Sequence, residues 1–235
     1  LGGERGRHRR GRHVAQVEQA ALGLRDDLLA EHQHVTAGHR RALAGRLDTL
    51  SHAPQAVGGW YRNLASGGTL AQAGFDGVGI DSAGEMIGND WRIGSDAVVG
   101  IAMNRLEQSS WLGEFGDRSR GRQRELQLYA SSWRGDSYAQ AQFASGSFQR
   151  QMQRNLLLGS LQDAVAAQLS GDYLGASGEI GRRFRAGGVA LTPYLGAQYV
   201  QVANDGFSEG GASGFGLRAD AWDSGRLQGF AGLRA

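Results

Sequence analysis

The sequence predicts an all-β chain: an antiparallel up-and-down transmembrane β-barrel, preceded by an α-helical segment. Three observations carry that prediction. From about Gly58 onward, short segments alternate apolar with small or polar residues at a period of two. Glycine is abundant, at 39 of 235 residues, while proline numbers two. No apolar run approaches the roughly eighteen residues a membrane helix needs; the best, Ala97-Val-Val-Gly-Ile-Ala-Met103, has seven. A barrel escapes that requirement because its lipid face uses only every second residue of each strand.

The chain divides near Pro54, giving a passenger or linker region over 1–54 and a barrel domain over 55–235. All six histidines and nine of the 25 arginines precede Pro54. Val14, Val17, Ala21, Leu24, Leu28 and Leu29 have helical spacing, so one or two helices are expected between Val14 and Leu50. They follow an Arg/Gly start, Leu1 to Arg12, expected to be disordered.

Past Pro54 the period changes to two, and nine strands are expected. Gly58 to Ser66 is the first, and Gly67-Gly68 is expected to turn the chain into a second at Ala71 to Asp81. Asp96 to Glu107 sets Val99, Ile101 and Met103 against Gly100, Ala102 and Asn104. Gln123 to Trp133 and Asp136 to Phe148 are joined by the polar turn Arg134-Gly135-Asp136. Tyr173 to Phe184 alternates Leu174, Ala176, Ile180 and Phe184 against Ser177, Glu179, Gly181 and Arg183. Val189 to Val202, Phe215 to Trp222 and Gly225 to Arg234 complete the series.

Alternation also fits a soluble β-sandwich, which buries one face and wets the other. Several strands of ten or more residues favour the membrane, as do the charges and the aromatics. Charged residues such as Glu179, Arg183, Arg218 and Asp220 fall opposite the aliphatics, where a lumen would solvate them. Aromatics such as Trp60, Trp133, Phe184 and Trp222 stand near strand ends, where interfacial girdles are found. The competing reading makes them ordinary core aromatics.

A helix, then Gly58-Gly-Trp-Tyr61, Gly74-Phe-Asp-Gly-Val-Gly-Ile-Asp81, Asp90-Trp-Arg-Ile-Gly-Ser-Asp-Ala-Val-Val-Gly100, Leu126-Gln-Leu-Tyr-Ala130, Gly175-Ala-Ser-Gly-Glu-Ile-Gly-Arg-Arg-Phe184 and Leu191-Thr-Pro-Tyr-Leu195 follow one another along the chain. Their order resembles that of the autotransporter β-domain of type V secretion, over Gly58 to Ala235. The resemblance implies a twelve-stranded barrel of the bacterial outer membrane, about nine of whose strands are present here. It also implies a pore holding a helix that links the barrel to an N-terminal passenger. By that resemblance Val14 to Leu50 contains the linker helix, Glu179 points into the lumen, and Pro193 stands near the start of its strand, where a missing N–H is tolerated. A polar lumen lined by Glu179, Arg183, Tyr194, Gln198, Arg218 and Asp220 would pass the extended linker. The implied partners are the chain's own passenger, outer-membrane lipid, the barrel-assembly machinery and periplasmic chaperones.

Two departures from the family's pattern are visible. Gly229-Phe-Ala-Gly-Leu-Arg-Ala235 stands where roughly three more strands and a terminal aromatic are expected, and the linker region has no Asn-Asn pair for intrabarrel self-cleavage. The start at Leu1, with no signal segment, reads as part of a longer precursor.

Other chemistry finds little support. Without cysteine there is no disulfide and no thiolate metal site. His32, His34 and His39 beside Glu31 read as a solvated helix face, because positions i and i+2 do not face one another on a helix. The Arg5 to Arg12 run lacks stacking aromatics, so nucleic acid is not expected as a partner. Ala144-Ser-Gly-Ser-Phe148 lacks the strand-elbow-helix context of a hydrolase nucleophile. Gly77-Val-Gly-Ile-Asp81 is half a dinucleotide fingerprint with no helix after it. No catalytic residue, metal or cofactor is assigned. The expected function is outer-membrane export of a passenger. The alternatives are the C-terminal part of a secreted hydrolase whose subtilisin-like or esterase site lies upstream, and a soluble β-sandwich adhesin.

Overall fold

The computed structural model describes residues 43–50, 56–70, 78–112, 117–158, 161–186, 189–211 and 216–234. The helices expected between Val14 and Leu50 and the basic start at Leu1 to Arg12 lie outside these residues, except for one helix, α1, over 43–50. No helix among the described residues is long and apolar enough to cross a membrane.

Eight long strands follow: β1 (Gly59–Leu70), β2 (Val78–Ile93), β3 (Ala97–Leu112), β4 (Asp117–Arg134), β5 (Ser137–Leu158), β6 (Leu161–Arg182), β8 (Val189–Asn204) and β12 (Trp222–Arg234). Each pairs antiparallel with the next, in the order β1-β2-β3-β4-β5-β6-β8-β12, the up-and-down order expected. Short strands fill the ends: β7 (Phe184–Ala186) pairs β8, β10 (Gly210–Gly211) pairs β6, and β9 (Phe207–Ser208) pairs β11 (Arg218–Ala219). Two of the tight turns, Arg92 to Ala97 and Arg134 to Ser137, turn on Gly94 and Gly135, whose φ values of 63° and 59° suit glycine.

The sequence expectations differ from this arrangement in several places, among them β5 and β6, which reach Leu158 and start at Leu161 where strands were expected only to Phe148 and from Tyr173. Gly67-Gly68 does not turn the chain: β1 runs through both glycines, paired with Asp81 and Ile80 of β2. The second strand is Val78–Ile93, so the stretch between Asp81 and Asp90, which lies outside the expected strands, is paired on both sides. Phe215 to Trp222 is not a wall strand. Among its described residues Arg218–Ala219 pairs with β9 and Trp222 opens β12, while the hairpin carries Leu217 and Ala219 onto Ala167 and Leu169.

The faces follow the period of two. On β3, Val98, Ala102, Asn104 and Leu106 are buried, whereas Met103 is 59% exposed. On the outer face Ile87, Trp91, Ile93, Leu126, Leu128, Phe143, Leu174, Ile180, Leu195 and Leu227 are all open. The apolar band has charged edges. Arg124 and Arg134 stand on the same side of β4, with Leu126, Leu128 and Ala130 between them. Ten residues at about 3.3 Å each, tilted by about 40°, cover about 25 Å, the height of a barrel's lipid-facing band.

Glycine abundance has a local cause. Eight aromatic rings each lie across a glycine directly opposite in register: Trp60 on Gly88, Trp111 on Gly79, Tyr129 on Gly100, Tyr138 on Gly181, Phe148 on Gly171, Tyr173 on Gly146, Tyr194 on Gly232 and Phe230 on Gly196. A Cβ at Gly100 would come within 2.2 Å of the Tyr129 ring. The ring therefore packs on bare backbone, an arrangement that supports strongly twisted sheets.

Candidate functional site

The sheltered face of the sheet holds α1 and a series of polar side chains. Leu43, Leu47 and Leu50 recur at i, i+4 and i+7, forming one apolar stripe. All three are fully buried, against Met86, Val98, Ala102 and Tyr129, with Trp60, Leu64 and Trp133 packed around them. Full burial stabilises by roughly 1.5–3 kcal/mol for each leucine side chain.

A single carboxylate fixes this helix to the sheet. Asp90, whose side chain is wholly buried, accepts from Arg46 Nε of α1 at 2.8 Å and also from Arg46 Nη2. Its other oxygen accepts from Trp60 Nε1 at 3.1 Å and from the Tyr129 hydroxyl. Trp60 also donates to Tyr129 at 2.9 Å, and Arg46 reaches the Ala56 carbonyl at 2.7 Å. Four groups from α1, β1, β2 and β4 therefore converge, and the buried charge is both paired and hydrogen-bonded, the condition under which such burial is tolerated.

The helix also measures the curl of the sheet. Arg46 reaches β2, while Asp48, two residues on, lies 4.0 Å from Arg183, the residue just past the end of β6. In a flat sheet these strands, four spacings apart, would be separated by about 19 Å. A short helix touches both only because the sheet wraps around it.

Beyond the helix the face combines a buried cluster of Phe148, Tyr173, Val200 and Val202 with a series of polar side chains. Asn104 donates to Glu125 Oε1 at 2.7 Å, Gln127 donates to the same oxygen, and Gln123 donates to the Tyr173 hydroxyl. Glu179 accepts from Tyr138 and from Arg234, each at 2.7 Å. The Arg234 guanidinium lies 4.2 Å from the Tyr194 ring centre, and Gln198 donates to Gln228 at 2.9 Å. Of the six residues the sequence assigned to a lumen, Glu179, Arg183, Tyr194 and Gln198 thus share this face. Arg218 and Asp220 do not join them. Both are exposed on or beside the short β9–β11 pairing, because the segment expected to be a wall strand folds back as a hairpin.

The hairpin seats Phe207 against Trp222, with ring centres 6.3 Å apart, over Ala167 and Leu169. Glu209 ties it down, receiving Arg154 at 2.7 and 3.2 Å and the Leu217 amide at 2.8 Å.

The four aromatics expected at the membrane interface separate. Phe184 is half-exposed on the outer face, but Trp60 and Trp133 pack on α1, and Trp222 packs under the hairpin. Strand-end position alone cannot tell the two faces apart; parity can, since Trp60 shares its side with Leu64 and Ser66. The residues that sequence reasoning missed are Arg46, Asp90, Tyr129, Tyr138 and Arg234. Asp90 carried a signal, because it falls on the parity of Met86 and Gly88, opposite Ile87, Trp91 and Ile93. No group of three or more His, Cys, Asp or Glu able to hold a metal occurs among the described residues, and the histidines all lie outside them.

Comparison with known proteins bears on this geometry. The family model for the autotransporter beta-domain matches residues 55–235. Among solved structures, the chain is similar to the translocator domain of autotransporter NalP from Neisseria meningitidis. That likeness has a TM-score of 0.66 at 18% identity, over 84% of this chain and 68% of that one. A comparison with curated proteins gives no match. With a family model over more than half its length, an antiparallel barrel wall and a helix on the polar face, the chain belongs to the autotransporter β-domain family, the outer-membrane translocators of type V secretion.

Proposed function

We propose that this domain carries an N-terminal passenger to the cell surface, and that α1 is the plug left in the lumen when transit is complete. The observation that carries the reading is the seat of α1: a helix held by Arg46 and Asp90 on a polar sheltered face, with the N-terminal chain leading into it. During transit an extended segment would meet Glu179, Arg183, Tyr194, Gln198, Glu125 and Asn104, whose donors and acceptors can replace the water its backbone loses. Transport on this reading is not enzymatic. The driving force comes from folding of the passenger outside, together with the barrel-assembly machinery and periplasmic chaperones that deliver the chain. Outer-membrane lipid covers the band from Leu126 to Ala130 and its neighbours.

Because the chain has no cysteine, the reading can be tested directly. In cells making the full-length protein, L47C and M86C are introduced together with an epitope tag ahead of residue 1. External protease should remove the tag from the tagged L47C/M86C protein, and its two cysteines should cross-link once export is complete. A tag that stays protected in intact cells, while the barrel is folded, would refute export.

A further inference from the structure

Above the apolar band, the outer face of β4 changes character abruptly. Arg118, Arg120, Arg122 and Arg124 occupy four successive outward positions, all exposed, spanning about 20 Å at two residues per step. Arg105 on β3 is the register partner of Arg124. On the other side β5 presents Gln153, Gln151 and Gln149 directly opposite Arg118, Arg120 and Arg122. The acidic neighbours on this surface are Glu107, Glu85, Asp81 and, two strands from Arg124 in register, Asp172. Glu107 lies 3.6 Å from Arg105 and 3.5 Å from Arg122. Arg118, Arg120 and Arg124 make no ion pair with any described residue. The patch offers guanidinium forks and amide N–H groups, with the exposed Trp111 ring beside Arg118 at its outer end, at the depth where lipid tails give way to headgroups.

Sidedness follows from the build of the barrel. Turns at Gly94 and Gly135 are tight, whereas the opposite strand ends extend well past the apolar band, to Leu158 on β5. In outer-membrane barrels the tight turns are periplasmic and the long ends extracellular. We infer that the Arg105, Arg118, Arg120, Arg122 and Arg124 patch binds the phosphorylated glycolipid of the outer leaflet, lipopolysaccharide, through its phosphate groups. Guanidinium matches phosphate geometry with paired N–H donors, and the flanking glutamines match sugar hydroxyls. A basic patch beside the membrane surface adds long-range attraction that salt weakens. The contact would fix the depth of the barrel and leave transport through its lumen untouched.

The test uses the purified full-length protein and fluorescent lipopolysaccharide. The R118Q/R120Q/R122Q/R124Q variant should bind at least about tenfold more weakly than wild type while its β-rich fold stays heat-modifiable, and the corresponding lysine variant should retain part of the affinity. R134Q/R182Q, at the opposite edge of the band, should stay within about twofold. Dephosphorylated glycolipid offered to the wild-type protein should bind at least about tenfold more weakly, a reading that requires no variant to fold. Equal affinity of the glutamine variant, an equal loss in R134Q/R182Q, or equal affinity for the dephosphorylated lipid would each overturn the assignment.

Discussion

Replacing Arg46 by alanine should weaken the hold of the sheet on α1 without unfolding the barrel. The guanidinium is 15% exposed and the Asp90 carboxylate not at all, so R46A leaves a buried negative charge with only Trp60 and Tyr129 as donors. Removing one partner of a buried pair costs about 3–5 kcal/mol. Partial exposure of Arg46 places this case near about 3 kcal/mol, or roughly a hundredfold in the undocking equilibrium. The three leucines oppose release, so the effect is read as a shift in a rare opening event. A single cysteine at Leu50, fully buried and the only thiol in the chain, reports that opening through its rate of maleimide labelling. In the L50C background R46A should raise the rate about a hundredfold, and R46A/D90N should return at least a third of that change in logarithmic terms, because the stranded charge is gone. A rate changed less than threefold by R46A, or a double variant no better than the single, would show that Asp90 does not hold the helix.

Three further outcomes follow from the packing. Gly100→Ala should destabilise the barrel by about 1–3 kcal/mol, because the new methyl enters the Tyr129 ring at 2.2 Å, whereas Gly229→Ala, which meets only a carbonyl at 3.9 Å, should change the urea midpoint in vesicles little. Leu128→Arg, in the middle of the outer apolar band, should cost about 2–4 kcal/mol in lipid; an unchanged midpoint would place that surface outside the membrane. Glu179→Ala removes the acceptor shared by Tyr138 and Arg234; with Arg234 41% exposed the loss should be near about 1 kcal/mol, and Glu179→Gln should recover most of it.

Much of this fold was legible because a barrel writes its two faces into alternate letters. Val99, Ile101 and Met103 against Gly100, Ala102 and Asn104 needed no tertiary information, and the faces are as that alternation requires. The resemblance to the family was equally readable, from motif order. What alternation could not reveal is whether a strand-like segment joins the wall. Phe215 to Trp222 has the right period, but its apolar side satisfies itself against Ala167, Leu169 and Phe207. Nor could it assign Trp60, since an aromatic near a strand end is equally at home against lipid and against a helix. The Arg46–Asp90 contact joins residues 44 positions apart, and no local pattern specifies such a partner.

The rings on glycines bear on how the strands find one another. Alternation is blind to a slip of two residues, which returns every side chain to its proper face. The aromatic pairs are not blind to it. Two positions either way from Gly88, Trp60 would lie against Met86 or Asp90, and Tyr129, moved from Gly100, would meet Val98 or Ala102. Eight such pairs, spread over five of the strand interfaces when the outer-face Trp111 on Gly79 is included, would all clash or empty in turn as neighbouring strands shifted. The glycines thus act as a proofreading code for even-numbered errors, the one class of misalignment that a membrane, sorting residues only by polarity, would let pass.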